Sequence, residues 1–163
     1  MGGMRGRGRH DRGMPSEGGP VKKPASLRQA VTAAIPTLAN DPDKLLVFVD
    51  KGRAVSTGAP GKSFQYGYTL NLILTDWSGD PDHLLFAILE WCRVNESDLL
   101  ENPEKQARGV RFEVDVLNHE TYDVSVELEL SERVIVSIDA GGQPTFSHPA
   151  EPVPEWTRLG GLI

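Results

Sequence analysis

The first group with chemical potential in this sequence is a glycine loop that ends in a lysine and a serine. Residues 58–63 read GAPGKS, which matches the end of a phosphate-binding loop. That loop requires a further glycine at position 56, where Ser56 stands instead. The spacing therefore predicts no P-loop and no bound nucleotide.

The metal-binding and nucleophilic residue types are scattered. His10, His83, His119 and His148 fall in separate segments, and no pair has the spacing of metal ligands. Cys92 is the only cysteine, so neither an internal disulfide nor a cysteine-based zinc site can form. It has no neighbouring histidine at catalytic spacing and shares an apolar helical stripe, which favours a core role. We expect no metal, no cofactor and no catalytic thiol.

Carboxylates are numerous, and four of them occupy alternate positions of predicted strands. Glu113 and Asp115 alternate with apolar residues in one strand, and Glu127 and Glu129 do so in the next. This pattern is typical of a solvated sheet face and needs no paired-carboxylate site. The sequence therefore predicts no catalytic residue.

Length and composition indicate one folded domain with appendages. The chain has 163 residues, of which 39% are hydrophobic and 25% charged, as in ordinary globular proteins. It contains no apolar run near the roughly 18 residues that cross a bilayer, and no apolar segment follows the N-terminal arginines. We expect no membrane span and no secretory signal, and a single cysteine fits a reducing compartment.

The N-terminal segment, residues 1–23, is predicted to be a basic flexible arm. It carries a charge of +4 and the rest of the chain −10, giving the total of −6. It is rich in glycine and nearly free of apolar residues, so it cannot bury enough surface to offset its ordering entropy. Its candidate partner-binding residues, for nucleic acid or an acidic protein surface, are Arg5, Arg7, Arg9 and Arg12. The alternative is a solvated tail or a vector-derived leader.

The C-terminal segment, residues 139–163, is predicted to be a second extension, because its prolines and glycines interrupt regular structure. Its candidate docking residues are apolar: Trp156, Leu159, Leu162 and Ile163. An extended segment of this kind could add to an exposed strand edge, such as the one predicted to end near Thr75. The alternative is that the segment folds back over its own domain.

The first half of the predicted domain, residues 24–138, contains a helix and two strands. Ser26 and Gln29 have capping-box spacing, and Pro36 ends the helix that they begin. Residues 45–57 predict a long bent strand or a tight hairpin. Strict alternation of apolar and polar residues over 64–75 predicts a strand of twice the usual length.

The second half predicts one helix and three strands. Asp80-Pro81 is typical of a helix start, and apolar residues then recur at helical spacing. Strands are predicted over 111–117, 122–130 and 133–138, joined by short turns. The expected fold class is α+β, a mainly antiparallel sheet with two helices on one face in the order α-β-β-α-β-β-β.

Six sequence blocks resemble the tail completion protein R family of contractile-tailed phages, and the similarity covers residues 22–138. The blocks are KPASLRQA (23–30), DPDKLLVFVDKG (41–52), FQYGYTLNL (64–72), TDWSGDPD (75–82), GVRFE (109–113) and LELSERV (128–134).

The resemblance implies a structural protein with a tail terminator-like fold and no enzymatic activity. It implies a homo-oligomeric ring, commonly of six copies, at the head-proximal end of the tail. Such a ring caps tube and sheath and joins the tail to the head connector, which makes the tube, sheath and connector proteins its partners. We expect nucleic acid at most to pass through the ring, because an acidic body repels DNA. The expected location is the virion tail, assembled in the host cytoplasm. The alternatives are a generic protein–protein adaptor domain and a small phage-encoded enzyme.

Overall fold

The computed structural model describes residues 21–56 and 60–150 of the chain. Helix α1 spans Lys23–Ala34. A short helix α2 (Thr37–Asn40) and a 3₁₀ turn (Pro42–Lys44) then lead into the sheet.

Helix α1 begins before the predicted capping box. Pro24 occupies its first turn, and the Ser26 amide already donates to the carbonyl of Lys22 at 3.2 Å. The Ser26 hydroxyl instead accepts a hydrogen bond from Trp91 Nε1 at 3.0 Å. The predicted cap is therefore wrong, whereas the predicted end before Pro36 is confirmed.

The first two strands form a long antiparallel hairpin. Strand β1 spans Leu45–Ser56 and strand β2 spans Phe64–Trp77. Their register shifts between Asp50 and Arg53, where Lys51 has a φ of 48°. Of the two alternatives predicted for this region, the long bent strand is the one that forms.

Strand β2 confirms the predicted alternation. Tyr68, Leu70, Leu72 and Leu74 are buried on one face, and the strand is 14 residues long. Residues on the opposite face are mostly polar, so this strand has a core side and a second, wetter side.

Three helices follow β2: α3 (Pro81–Asn95), α4 (Ser97–Glu101) and α5 (Pro103–Gly109). The start of α3 is as predicted, because the Asp80 side chain accepts a hydrogen bond from the Asp82 amide at 2.9 Å. Helices α4 and α5 were not predicted.

Pro103 reads as a helix breaker in the sequence, yet proline is tolerated in a first turn. There the Asn102 side chain caps α5 by accepting from the Glu104 amide at 3.0 Å. A proline preceded by a capping residue therefore starts this helix instead of preventing it.

The remaining strands of the main sheet are β3 (Val110–Val116) and β4 (Tyr122–Ile138). The predicted turn at Ser131 and Glu132 is wrong, because both residues lie inside the continuous 17-residue strand β4. Glu132 is buried there and accepts a hydrogen bond from the Tyr68 hydroxyl at 2.7 Å. A buried hydrogen-bond partner thus allows the polar residues Ser131 and Glu132 to lie in the middle of a strand.

Part of the predicted C-terminal extension has regular structure. Strand β5 (Pro144–Ser147) pairs with the end of β4 after a turn in which the Asp139 amide donates to the Gln143 carbonyl at 2.9 Å. The prediction that regular structure is absent after Asp139 is wrong for this strand. Proline is acceptable as its first residue, because a strand's first position can lack an N–H donor.

The sheet has the order β1-β2-β4-β3 and is antiparallel throughout, with β5 attached to β4. Helices α1 and α3 contact each other and cover one sheet face. The α+β class is confirmed. Because β2 lies between β1 and β4, the predicted free edge near Thr75 is wrong. The centre of the core consists of Leu27, Val31, Leu70, Leu72, Leu84, Ile88, Val126 and Leu128.

Candidate assembly surfaces

Strand β3 presents an apolar row that the helices within residues 21–56 and 60–150 leave open. Phe112 lies opposite Val126 and Val114 opposite Val124, and both β4 partners are buried in the core. The row therefore belongs to the helix-covered face of the sheet. Nevertheless, Phe112 is 54% exposed and Val116 is 76% exposed. Exposed apolar residues grouped on an edge strand favour contact with another protein chain.

Strand β1 forms the opposite edge and is also apolar. Leu46 is 50%, Phe48 46% and Val49 41% exposed. At the start of this strand, Arg28 Nη2 donates to the Leu45 carbonyl at 2.6 Å, so helix α1 occupies that point of the edge. Beyond it, β1 has β2 as its one strand neighbour within residues 21–56 and 60–150.

The outer half of the β1–β2 hairpin carries further apolar groups. The rings of Phe64 and Tyr66 meet edge to face, with centroids 5.2 Å apart, and Val55 is largely exposed. Gly67 lies under the Arg53 guanidinium, which a Cβ at that position would approach to 2.9 Å. The hairpin is therefore a second surface that could contact a neighbour.

The buried side chains of Lys23, Glu96 and Glu132 belong to a structural network of hydrogen bonds. Lys23 Nζ contacts the Glu96 carboxylate and donates to the Ser131 carbonyl at 2.6 Å. The Ser131 hydroxyl donates to Glu96 at 2.9 Å, while Glu132 accepts from the Lys22 amide and the Tyr68 hydroxyl at 2.7 Å each. The network ties the start of α1 and the end of α3 to the middle of β4.

Burial raises the pKa of Tyr68 far above its usual range, and the hydrogen bond to Glu132 is the second cause of this increase. This phenol therefore stays protonated and acts as a hydrogen-bond donor. Its hydrogen bond to Glu132 links strand β2 to strand β4.

Cys92 lies in the core, as predicted. It is fully buried on α3, and burial followed by the nearby Glu96 charge raises the pKa of its thiol to about 12. Because the thiolate is the reactive form, this thiol is protected from reaction near neutral pH.

The outward carboxylates lie where the alternation predicted them. Glu113 and Asp115 are exposed, and Glu127 and Glu129 are half-buried on the same outer face. Arg111 joins two of them, with Nη2 at 2.8 Å from Glu127 and 3.3 Å from Glu129. These residues form a solvated, partly neutralised surface.

The remaining chemical candidates stay apart. His83, His119 and His148 lie at the start of α3, in the β3–β4 turn and after β5. Across residues 21–56 and 60–150, no three His, Cys, Asp or Glu side chains are grouped closely enough to hold a metal ion. No helix in the same ranges is long and apolar enough to cross a membrane. His10 and residues 58–59 of the glycine loop lie outside the described residues.

All of the predicted partner-binding residues also lie outside the described ranges, namely Arg5, Arg7, Arg9, Arg12, Trp156, Leu159, Leu162 and Ile163. The structure instead identifies the edges β1 and β3, which sequence reasoning missed. Alternation in Phe112, Val114 and Val116 predicts an apolar strand face, but it does not reveal that the helices of the described residues leave this face open.

The described residues thus form a helix-covered antiparallel sheet whose two edge strands carry exposed apolar side chains. The chain belongs to the P2 phage tail completion protein R (GpR) family, whose model matches residues 21–152. It is 42% identical to the tail completion protein R of Escherichia phage P2 over 132 residues, which cover 81% of this chain and 84% of the relative. No solved structure matches it significantly.

Proposed function

We propose that this protein completes a phage tail by forming a closed ring at its head-proximal end. Six copies is the number that we adopt for the ring. The ring caps the tail tube and sheath and joins them to the head connector. The observation that carries the proposal is the match to the tail completion protein R of phage P2 across four fifths of the chain.

The proposed role is structural and not enzymatic. Its support is the name of the relative, a tail completion protein, together with the buried network, in which Tyr68, Glu96 and Glu132 are held by hydrogen bonds inside the fold. The proposed location is the tail of the virion, after assembly in the host cytoplasm.

The ring is supported by the presence of two different exposed edges. A ring needs two complementary surfaces on each copy, because each interface joins unlike patches of neighbouring copies. Strands β1 and β3 lie at opposite ends of the sheet and both carry exposed apolar side chains.

The terminal segments are proposed to reach other tail proteins. Trp156, Leu159, Leu162 and Ile163 would be buried by a neighbouring copy or by the tube and sheath, since they would lower solubility in water. The arginines of the basic arm, Arg5, Arg7, Arg9 and Arg12, would contact acidic protein surfaces or passing DNA.

Truncation separates this docking role from folding. The truncation point should follow Ala150 and not Ile138, because β5 pairs with β4. A chain ending at Ala150 should keep its circular dichroism spectrum but attach tails poorly. Full tail attachment by the shortened chain would contradict the docking role.

The ring is tested by electron microscopy of the purified protein, and the role by deletion of its gene in the phage that carries it. We expect closed rings of one size, and particles with unattached capsids and unfinished tails that a plasmid copy restores. Monomers at all concentrations would reject the ring, and normal infectious particles without the gene would reject the role.

A further inference from the structure

We propose that the ring is held together by one continuous sheet, in which strand β3 of each copy pairs with strand β1 of the next copy. This inference rests on the proposed ring and names its interface. The occupant of each edge is thus a second copy of this chain.

Strand direction supports this pairing. The sheet has four main strands in the order β1-β2-β4-β3, each antiparallel to its neighbour, so β1 and β3 run in opposite directions. Rotation about a ring axis repeats every copy in the same sense along that axis. The β3 strand of one copy and the β1 strand of the next therefore meet antiparallel, and the alternation continues across the interface.

Backbone hydrogen-bonding groups are oriented for the same pairing. The Leu45 carbonyl bonds to Arg28 outside the sheet, so by alternation Val47 and Val49 also point their N–H and C=O groups away from β2. In β4, the Ser131 N–H donates to Glu96 and the Ser131 carbonyl accepts from Lys23, so neither group bonds to β2. By alternation, the odd-numbered residues of β4 direct their backbone N–H and C=O groups toward β3.

The residues of β3 that face β4 are therefore the odd ones, because the register pairs Arg111 with Glu127 and Glu113 with Ser125. Phe112, Val114 and Val116 consequently direct their backbone groups to the free edge. Their side chains lie on the helix-covered face, as does that of Val49, which lies opposite Leu70. Pairing thus joins apolar rows of the same face.

One register satisfies both charge and packing. If Phe112 lies opposite Val49 of the next copy, then Val114 lies opposite Val47, and Arg111 lies opposite Asp50 on the outer face. A shift by two residues in one direction places Glu113 opposite Asp50, which is unfavourable because directly opposed like charges repel. In the proposed register one of the three outer-face pairs, Arg111 with Asp50, joins opposite charges, while Glu113 and Asp115 lie opposite the apolar Phe48 and Leu46.

The lengths of the two edges are compatible. The bulge after Asp50 ends regular pairing in β1, and Arg28 occupies the Leu45 carbonyl, which leaves residues 46–50 as the open straight part of this edge. Strand β3 has seven residues, Val110–Val116. Neither stretch contains proline, which would remove an edge N–H group.

Disulfide cross-linking tests the register in the full chain. The pair Glu113 and Phe48 would lie opposite each other on the outer face, with Cα atoms at the separation of about 4.5 Å typical of a non-hydrogen-bonded pair, which suits a disulfide. The double variant Glu113→Cys/Phe48→Cys should give a ladder of covalent oligomers on a non-reducing gel after mild oxidation. The wild-type chain is the negative control and should not cross-link, because its cysteine, Cys92, is buried.

The matched control moves one cysteine by one residue. Glu113→Cys/Val49→Cys places the second thiol on the opposite face and should stay at least tenfold less cross-linked. A covalent dimer from Glu113→Cys alone would overturn the proposal, because β3 would then pair with a second β3. If the Glu113→Cys/Phe48→Cys variant forms rings that do not cross-link, the proposed interface is wrong but the ring itself stands. If the wild-type chain forms no oligomer, both the interface and the ring are rejected.

A proline variant provides an independent measurement. Val114→Pro removes an N–H group that points to the free edge, so the β3–β4 ladder keeps its hydrogen bonds. We expect a monomer with an unchanged circular dichroism spectrum, whereas Val114→Thr, which keeps the N–H, should assemble. Rings of normal size from a folded Val114→Pro chain would overturn the pairing.

Discussion

The two central strands of the sheet and its two edge strands differ in how many strand neighbours they have and how well helices cover them. Strands β2 and β4 are paired on both sides and covered by α1 and α3, so residues such as Leu70 and Leu128 are fully buried. The edge strands β1 and β3 leave Phe48, on the outer face, and Phe112, on the helix-covered face, about half exposed. The comparison indicates that the described part of the chain builds its core from the central strands and leaves apolar side chains exposed on its edge strands.

The largest effect should come from the buried ion pair at the centre. Glu96→Ala would leave Lys23 buried without this carboxylate and should lower the free energy of unfolding by about 3–5 kcal/mol. Urea unfolding measures this value. Replacing both residues, as in Lys23→Met/Glu96→Leu, should recover most of the loss, and a double variant as unstable as the single one would contradict the pair's role.

Truncation of a central apolar residue should have the next largest effect. Leu70→Ala opens a cavity between the sheet and the helices and should cost about 3 kcal/mol, measured by the same unfolding experiment. Leu46→Ala, at the half-exposed edge, is the control and should cost well under half of that value. Equal losses at the two sites would show that edge and centre do not differ as described.

A smaller effect is expected at Cys92. Cys92→Ala should lower stability by about 1 kcal/mol and leave assembly intact, because the thiol only fills space in the core. In the native wild-type chain at pH 8, a thiol reagent should react with Cys92 only as fast as the protein unfolds, since its pKa is raised to about 12. Rapid native labelling would contradict this burial.

The smallest effect on stability is expected at the edge itself. Val114→Thr keeps the branched shape and the backbone N–H of a partly exposed residue, so the unfolding free energy should change by less than about 0.5 kcal/mol. The measurement is made under conditions where the chain is monomeric. A loss comparable to that of Leu70→Ala would place Val114 in the core of the single chain.

Much of the centre could be predicted from the sequence, because local patterns determine it. The alternation around Leu72 and the cap at Asp80 both correspond to observed elements. The errors arise where a distant partner decides the outcome. Glu132 is polar enough to predict a turn, and only the contact with Tyr68 makes it a strand residue.

The candidate assembly surfaces could not be predicted for a related reason. Whether Phe112 is covered depends on where α3 lies across the sheet, and the sequence of β3 carries no signal for that position. Family membership, in contrast, was accessible from short blocks of sequence, and the comparison with the phage P2 protein confirms it.

Amide hydrogen exchange of the assembled protein tests the central claim that the edges are completed by other copies. We predict that peptides covering residues 45–50 and 110–117 exchange at least tenfold more slowly in the assembly than in the Val114→Pro monomer. Peptides from the centre of β2 should exchange equally in both. Equal and fast exchange of the two edge peptides in assembled rings would contradict the account, because their backbone groups would then still be open to water.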